Sequence, residues 1–279
     1  MKVAGIFIYP IKSCRGIALE QTEVSPKGLV CDREWMLVDQ AGNFLTQRQY
    51  PQLATIQVEI QGQSLRLSTI HSNPFILEPQ LGGDEKTVQV WRDRVVAIDQ
   101  GDEVAKWFQQ ALNLPAEQKI RLVRQSPQHI RPIDKNYTNN QELPVSFSDG
   151  FPILLTATAS LADLNQRLEA IYPNQSQTVP MNRFRPNLVI ETEEPFIESS
   201  WQEIQINNLK FALVKPCSRC VVTTTDQFSG DRNLLQEPLK TLSTFRQIPQ
   251  QGIMFGENVI PLTPGWIKMG DNMTVLKQS

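Results

Sequence analysis

The segment Lys215-Pro216-Cys217-Ser218-Arg219-Cys220 sets two thiols three positions apart between cationic side chains. Thiolate is the ligating and nucleophilic form of cysteine, and neighbouring Lys and Arg favour it. Such a pair can hold a metal, exchange disulfides, or serve as two buried structural cysteines. A structural zinc site takes about four Cys or His ligands. The chain offers only two further cysteines, Cys14 and Cys31, with histidines His71 and His129, and no second CxxC. A redox CxxC opens a helix in a βαβ setting. Here the β-branched run Val221-Val222-Thr223-Thr224-Thr225 predicts a strand instead. A metal at this place would take most of its ligands from an organic cofactor.

Three other segments suit anions. Lys12, Ser13 and Arg15 follow Tyr9-Pro10 and give three donor side chains within four residues, a composition fit for phosphate or carboxylate as well as for an exposed basic turn. Arg33 follows Asp32, which reads first as a local ion pair. In Met181-Asn182-Arg183-Phe184-Arg185-Pro186-Asn187, alternation along an extended segment would point Arg183 and Arg185 the same way. Pro186 favours that extended backbone at Arg185. Two such cations repel unless an anion lies opposite, or unless Glu191, Glu193 and Glu194 pair with them. Ser148, Asp149 and Gly150 are small polar residues suited to a turn or a pocket lining. Neither histidine has ligand or triad spacing.

These groups need a scaffold. With 279 residues, 40% hydrophobic and 20% charged, the chain reads as soluble and globular, with one large or two modest domains. A net charge of −2 gives no long-range attraction to nucleic acid or an anionic membrane. No window approaches the roughly 18 apolar residues of a membrane span. The apolar start is too short for a signal peptide, and the irregular cysteines are no disulfide framework. These points predict a cytoplasmic protein with reduced thiols.

Short strand-like runs dominate: Val3–Ile8, Trp35–Val38, Ile56–Ile60, Leu65–Leu67, Val88–Val90 and Val95–Ile98, then Leu188–Glu191, Ile204–Ile206, Lys210–Val214 and Val221–Thr225. A closing hairpin of Trp266–Met269 and Met273–Leu276 is expected, as are turns at 39–43 and 61–63. Helices are predicted over about Asp102–Leu112, over about Ser160–Ile171 with Ser160 as N-cap, and over about Pro238–Arg246. The polar stretch Ser126–Asp149 reads as a long surface or inter-domain segment. The class is α+β and β-rich, with two barrel-like domains and peripheral helices.

The segments YPIKSCRG, CDREWMLVD, SDGFPILL with ASLADLNQRL, RFRPN, KPCSRCVVTTTD, EPLKTLSTFR and IKMGD run collinearly through nearly the whole chain. Through them it resembles MOSC-domain proteins preceded by the MOSC N-terminal β-barrel domain, the group that includes the mitochondrial amidoxime-reducing component and its bacterial relatives. The resemblance implies a MOSC N-terminal barrel over residues 1–120 and a MOSC domain over 121–279. It also implies a molybdenum cofactor, Mo-molybdopterin, clamped between them. By that likeness Cys220 is the metal ligand and, with Asp149, a catalytic residue, while Cys217 is a neighbour. Lys12, Ser13, Arg33, Ser148, Asp149, Arg185 and Asn187, with Arg183 in the same segment, become contacts to pterin and phosphate. The implied reaction is reduction of N-hydroxylated compounds such as hydroxylamines, amidoximes and N-hydroxylated bases. Electrons would come from a separate ferredoxin, flavodoxin, flavin reductase or cytochrome b5-type protein, because the ferredoxin domain of some relatives is not found here. The N-terminal targeting segment of the mitochondrial relatives is not seen either. The alternative is a non-catalytic module that binds or carries the cofactor, or transfers sulfur, like the C-terminal part of cofactor sulfurases. Their pyridoxal phosphate domain is missing, and a pyridoxal phosphate association enters only as a superfamily expectation.

Overall fold

In the computed structural model every residue but His71 and Asn139 is described. His71, read above as lacking ligand spacing, lies outside the described residues. The largest element is a nine-stranded sheet. Its order runs Met273–Gln278, Trp201–Ile206, Leu209–Arg219, Gly252–Pro261, Ile153–Ala157, Leu188–Glu191, Lys2–Ile8 and Ile17–Leu19, and Gln247–Ile248 pairs off that path with Gly252–Pro261. Only the pairing of Ile153–Ala157 with Leu188–Glu191 is parallel among the described strands of this sheet. A parallel pair needs a crossover, and the helix α1 of this region, Thr158–Ile171, lies within that connection.

A second unit holds a four-stranded sheet, in the order Trp35–Asp39, Ile120–Gln125, Asp93–Asp99, Glu85–Val90, and a three-stranded sheet of Gln57–Gln61, Ser64–Thr69 and Ser72–Leu77. The helix Asp102–Ala111 covers it, burying Val104, Trp107, Phe108 and Ala111 against Leu37, Leu65, Leu67 and Leu122. A smaller sheet joins Gly265–Lys268 to Gln21–Ser25 and Gly28–Leu29.

The two cores do not divide the chain at one point. Val3, Ile6 and Ile8 of the first strand pack with Leu155, Ile190, Phe211 and Val259 of the large sheet. Their backbone pairs directly with Leu188–Glu191, in a register that sets Val3 opposite Ile190 and Ile6 opposite Leu188. Ile11 and Cys14 enter the other core, Ile17, Leu19, Val24 and Leu29 return to the first, and Trp35 enters the second again. The chain therefore crosses between units immediately after the first strand, where Lys12 and Ser13 lie.

The β-rich class with few helices agrees with the sequence reading, and several local expectations need correction. Trp266 and Met273 do not form one hairpin: Gly265–Lys268 pairs with Gln21–Ser25, and Met273–Gln278 with Trp201–Ile206. The helix expected from Ser160 starts at Thr158, and Ser160 is buried inside it. Its hydroxyl donates to the Glu198 carboxylate at 2.8 Å and accepts from the Phe196 amide, so it caps nothing. The last helix is short, Leu239–Ser243. The run after Cys220 is no strand but a 3-10 turn, Val221–Thr224. The Thr223 and Thr224 hydroxyls donate to the Cys220 and Val221 carbonyls at 3.0 and 2.8 Å, and such local bonds compete with sheet pairing. The Arg183–Arg185 segment is not extended: Met181–Phe184 is a 3-10 turn and Arg185 is left-handed at φ 54°.

Candidate active site

A cleft of about 440 Å³ opens between the two units. Lys12, Ser13, Arg33, Ser148, Asp149, Arg185, Asn187 and Cys220 all line it, and Arg183 does not. Five segments far apart in sequence supply these side chains, so the site exists only after both units have folded.

Tyr9 organises one wall. It is buried, and the guanidinium carbons of Arg33 and Arg185 each lie 4.2 Å from its ring centroid. Two like charges share one ring because its π-system attracts both and because Asp32, buried beside them, pairs with Arg33 at 2.6 Å and accepts the Tyr9 amide at 2.8 Å. Burial pushes the Tyr9 hydroxyl up to about 12 and brings Arg185 down to about 10, which still leaves Arg185 a cation at neutral pH. The Asn187 carboxamide accepts from Arg33 at 2.8 Å and from the Leu154 amide at 3.2 Å, and donates to the Phe7 carbonyl at 3.1 Å. Its work is to aim Arg33 and tie three strands together.

Arg183 and Arg185 diverge. Arg183 binds the Thr224 carbonyl at 2.9 Å and Asp226 at 3.0 Å, bracing the turn after Cys220, while Arg185 donates to Gln227 at 3.0 Å. The anticipated glutamates, Glu191, Glu193 and Glu194, are not the partners.

The opposite wall centres on Asp149. Lys12 Nζ reaches its Oδ1 at 2.5 Å and the Phe147 carbonyl at 2.8 Å; Trp91 Nε1 donates to the same oxygen at 3.2 Å, and Arg48 lies 3.8 Å from Oδ2. The Asp149 side chain is open to the cleft; desolvation by the surrounding walls opposes its ionisation, but Lys12, Arg48 and Trp91 together outweigh it and hold the carboxyl well below the usual range. Asp149 is therefore a carboxylate that positions cations, not a proton donor at neutral pH. Burial lowers the pKa of Lys12, and Asp149 only partly offsets this. Behind the loop, buried Arg131 donates to the carbonyls of Ser146, Ser148 and Asp149 at 2.8, 2.5 and 3.1 Å, and pairs with Asp93 at 2.8 Å.

The two thiols are free and have separate partners. Cys220 Sγ lies 3.2 Å from Arg48 Nη2, a contact between residues 172 positions apart. Cys217 Sγ lies 2.9 Å from Arg219 Nη1, whose Nη2 donates to the Phe184 carbonyl at 2.6 Å. Arg48, Trp91, Lys215 and Arg219 line the cleft beside the residues expected there. Sequence reasoning missed Arg48 and Trp91 because nothing in their spacing marks them. Backbone conformation marks Trp91 but not Arg48: Ser13, Arg33, Trp91 and Arg185 all have positive φ, between 50° and 71°. Non-glycine residues held there are unfavourable by roughly 1–2 kcal/mol each and gather at functional sites.

Lys12, Arg33, Arg48, Arg185, Lys215 and Arg219 face a single lining carboxylate, Asp149, in a chain whose net charge is −2. Among the described residues no group of three or more His, Cys, Asp or Glu side chains could hold a metal ion. A cationic cleft carrying a free thiol at the junction of two β units is chemically suited to an anionic ligand.

The chain belongs to the MOSC-domain family: residues 1–115 match the MOSC N-terminal beta barrel domain and residues 142–274 the MOSC domain. It is 34% identical to mitochondrial amidoxime-reducing component 1 of Homo sapiens, over 99% of this chain and 83% of that protein. It is 33% identical to mitochondrial amidoxime reducing component 2 of Rattus norvegicus, over 96% and 81%. A molybdenum cofactor sulfurase of Danio rerio is 33% identical over 88% of this chain, which spans 30% of that longer protein. The cytoplasmic expectation is corrected by these matches, since the relatives aligned along nearly the whole chain are named as mitochondrial. Composition and the short apolar start were not sufficient grounds for a compartment. No described helix is long and apolar enough to cross a membrane. A pyridoxal phosphate association has no support in the relatives' names.

Proposed function

We propose that the chain is a molybdenum-cofactor-dependent reductase of N-hydroxylated compounds, hydroxylamines, amidoximes or N-hydroxylated bases, fed by a separate electron-transfer protein. The observation that carries this reading is the free Cys220 thiol inside a cleft lined by six cations and one carboxylate. The residues present fit the cofactor. Donors from Lys12, Ser13, Arg33, Ser148 and Arg185 would hold its pterin and phosphate, Asn187 aims Arg33, and the Cys220 sulfur would be the one protein ligand of molybdenum. Arg183 acts at a distance, through the turn that follows Cys220. Arg219 Nε is buried without a protein partner, as expected of a guanidinium awaiting an anion.

The bound molybdenum group supplies two-electron redox chemistry. Cleavage of the N–O bond takes up two electrons and two protons and releases water, leaving the amine or amidine. The chain's own part is to bind, orient and exclude water. Asp149 fixes Lys12, Trp91 and Arg48 on one wall of the cleft, and the Tyr9–Arg33–Arg185 wall would hold the anionic part of the cofactor.

A second reading, a carrier or sulfur-transfer module, is favoured by Cys217, a second thiol in the same cleft beside Arg219, and by the likeness to a cofactor sulfurase. One experiment separates the two. Protein made in a molybdopterin-competent host is assayed for molybdenum and visible spectrum, wild type beside Cys220→Ser, and the chemically reduced wild type is mixed with an amidoxime. Stoichiometric metal, a spectrum altered by the substitution and one turnover per site are expected. An unaltered spectrum removes Cys220 as ligand. A fully loaded protein that turns nothing over is a carrier.

A further inference from the structure

The segment from Asp226 to Glu237, which follows the Cys220 turn, sets apolar side chains in solvent on a rigid frame. Leu234 is 96% exposed and Phe228 65%. Isolated exposed apolar residues need no explanation, but here a dense polar network keeps them in place. Asp226 Oδ1 accepts the amides of Phe228 and Ser229 at 2.8 and 3.0 Å, and the Asp226 amide donates to the Asp231 carbonyl at 2.7 Å. Asn233 accepts the amides of Leu235 and Glu237 at 2.9 and 3.2 Å, and its own amide donates to the Thr224 carbonyl at 2.9 Å. Glu237, buried beneath, accepts from Tyr172 and from the Thr241 amide, each at 3.0 Å. A loop fixed this way loses little entropy when it docks, so its apolar tips are ready for a partner.

The loop is also wired to the cleft. Arg232 Nη2 donates to the Gln47 and Arg48 carbonyls at 2.9 and 2.6 Å, and Arg48 is the residue that touches Cys220. Arg15 lies under Phe228, 4.9 Å from its ring, and donates to the Gln227 and Phe228 carbonyls at 3.2 Å each. Its charges are unbalanced. Arg15, Arg48, Arg232 and Lys240 border it, Asp226 is spent on Arg183 and Glu237 is buried, so Asp231 is the free carboxylate among the described residues of the loop.

We infer that this loop is the docking surface for the electron donor, a small redox protein whose cofactor edge is apolar and ringed by acidic side chains. The inference rests on the reductase reading, which requires two electrons from outside the chain. Apolar tips supply contact, and the bordering cations steer and orient an acidic partner. A transient electron-transfer contact needs only a small interface. The docking site adjoins Cys220 through the Thr224–Asn233 bond and the Arg232–Arg48 bond, which brings the donor to the metal side of the cleft.

The test uses full-length holoprotein and two reductants, dithionite-reduced methyl viologen and a reduced acidic protein donor, with plant-type ferredoxin, flavodoxin and cytochrome b5 tried in turn. In Leu234→Glu the viologen-driven rate is expected to stay within twofold, while kcat/KM for the protein donor falls at least tenfold. In Leu234→Lys it falls less. The wild-type protein-driven rate should drop as ionic strength rises. Equal loss with both reductants marks a structural role and overturns the docking assignment, as does an unchanged protein-driven rate. A wild type that accepts electrons from viologen but from none of the three proteins overturns it too. A shift in self-association by sedimentation, with protein-driven kinetics intact, would make a second copy of this chain the occupant instead. Absence of viologen-driven turnover in loaded wild type defeats the reductase reading itself, and the docking assignment falls with it.

Discussion

Glu257 offers a stability switch that can be measured without any cofactor. It lies in the strand Gly252–Pro261, opposite Pro216 of the cysteine segment, and is 3% exposed. Burial pushes its carboxyl up from 4.5 to about 7; the Ser199 hydroxyl at 2.9 Å and the Arg246 guanidinium pull it down, and the buried Glu198 carboxylate pushes it further up. Ser160, bound to Glu198, completes the surrounding polar shell. The folded state therefore binds a proton that the unfolded chain has released, across the window from about 4.5 to about 7. Stability contributed by this group is present below that window and is lost as pH rises through it. At 1.36 kcal/mol per pKa unit, the rise from 4.5 to about 7 amounts to about 3 kcal/mol when complete. Glu257→Gln keeps an acceptor for Ser199 and never ionises. Urea unfolding should find it close to wild type at pH 5 and more stable by about 2–3 kcal/mol at pH 8. A difference between the two proteins that is the same at both pH values would refute the reasoning.

Other outcomes follow from the cleft. Arg131→Leu strips the Ser146, Ser148 and Asp149 carbonyls of their shared donor and leaves Asp93 unpaired; a loss of about 3–5 kcal/mol is expected by urea unfolding, and a loss under 1 kcal/mol would show that the loop holds itself. Asp149→Asn removes the partner of Lys12; because the Asp149 side chain is 60% exposed, the expected loss is only about 1 kcal/mol. Since that carboxyl is depressed, its stabilisation is present at neutral pH and is lost as pH falls below the usual carboxylate range, so equal variant and wild-type midpoints at pH 7 would contradict the pairing. In cofactor-free native protein at pH 8, iodoacetamide should modify Cys217 and Cys220, which line the cleft. Cys14 and Cys31, pushed by burial up to about 12 and about 11, should stay intact, and peptide mapping that finds Cys14 alkylated first would reverse that order.

Much of the site was legible because its parts carry local signatures. Lys12-Ser13, Ser148-Asp149, Arg185-Pro186-Asn187 and the cysteine segment each stand out by residue type, and the fold brings them to one cleft. What stayed hidden depends on tertiary partners. Arg48 sits in an unremarkable polar turn and gains meaning only when Cys220 arrives from 172 positions away. Val221–Thr225 has the composition of a strand, yet threonine hydroxyls close a turn locally. Arg185 precedes a proline, which argues for extended backbone, yet stacking on Tyr9 holds it in the left-handed region. The terminal strands were recognisable, but their partners were not, because period-two alternation marks a strand without naming its neighbour.

The placement of the first strand has a consequence for how the protein is made. Lys2–Ile8 is synthesised well before one of the two strands that flank it: Ile17–Leu19 follows at once, but Leu188–Glu191 lies more than 180 positions later. At about 5–20 residues per second of synthesis, that strand waits roughly 10–40 s for the second of its neighbours. Throughout the interval Val3, Ile6 and Ile8, all fully buried at the end, lack Leu155, Ile190, Phe211 and Val259, which cover them in the finished core. Expression of the N-terminal part alone would leave the same apolar edge uncovered, so the nascent chain is most exposed to aggregation or chaperone capture just before Leu188–Glu191 emerges.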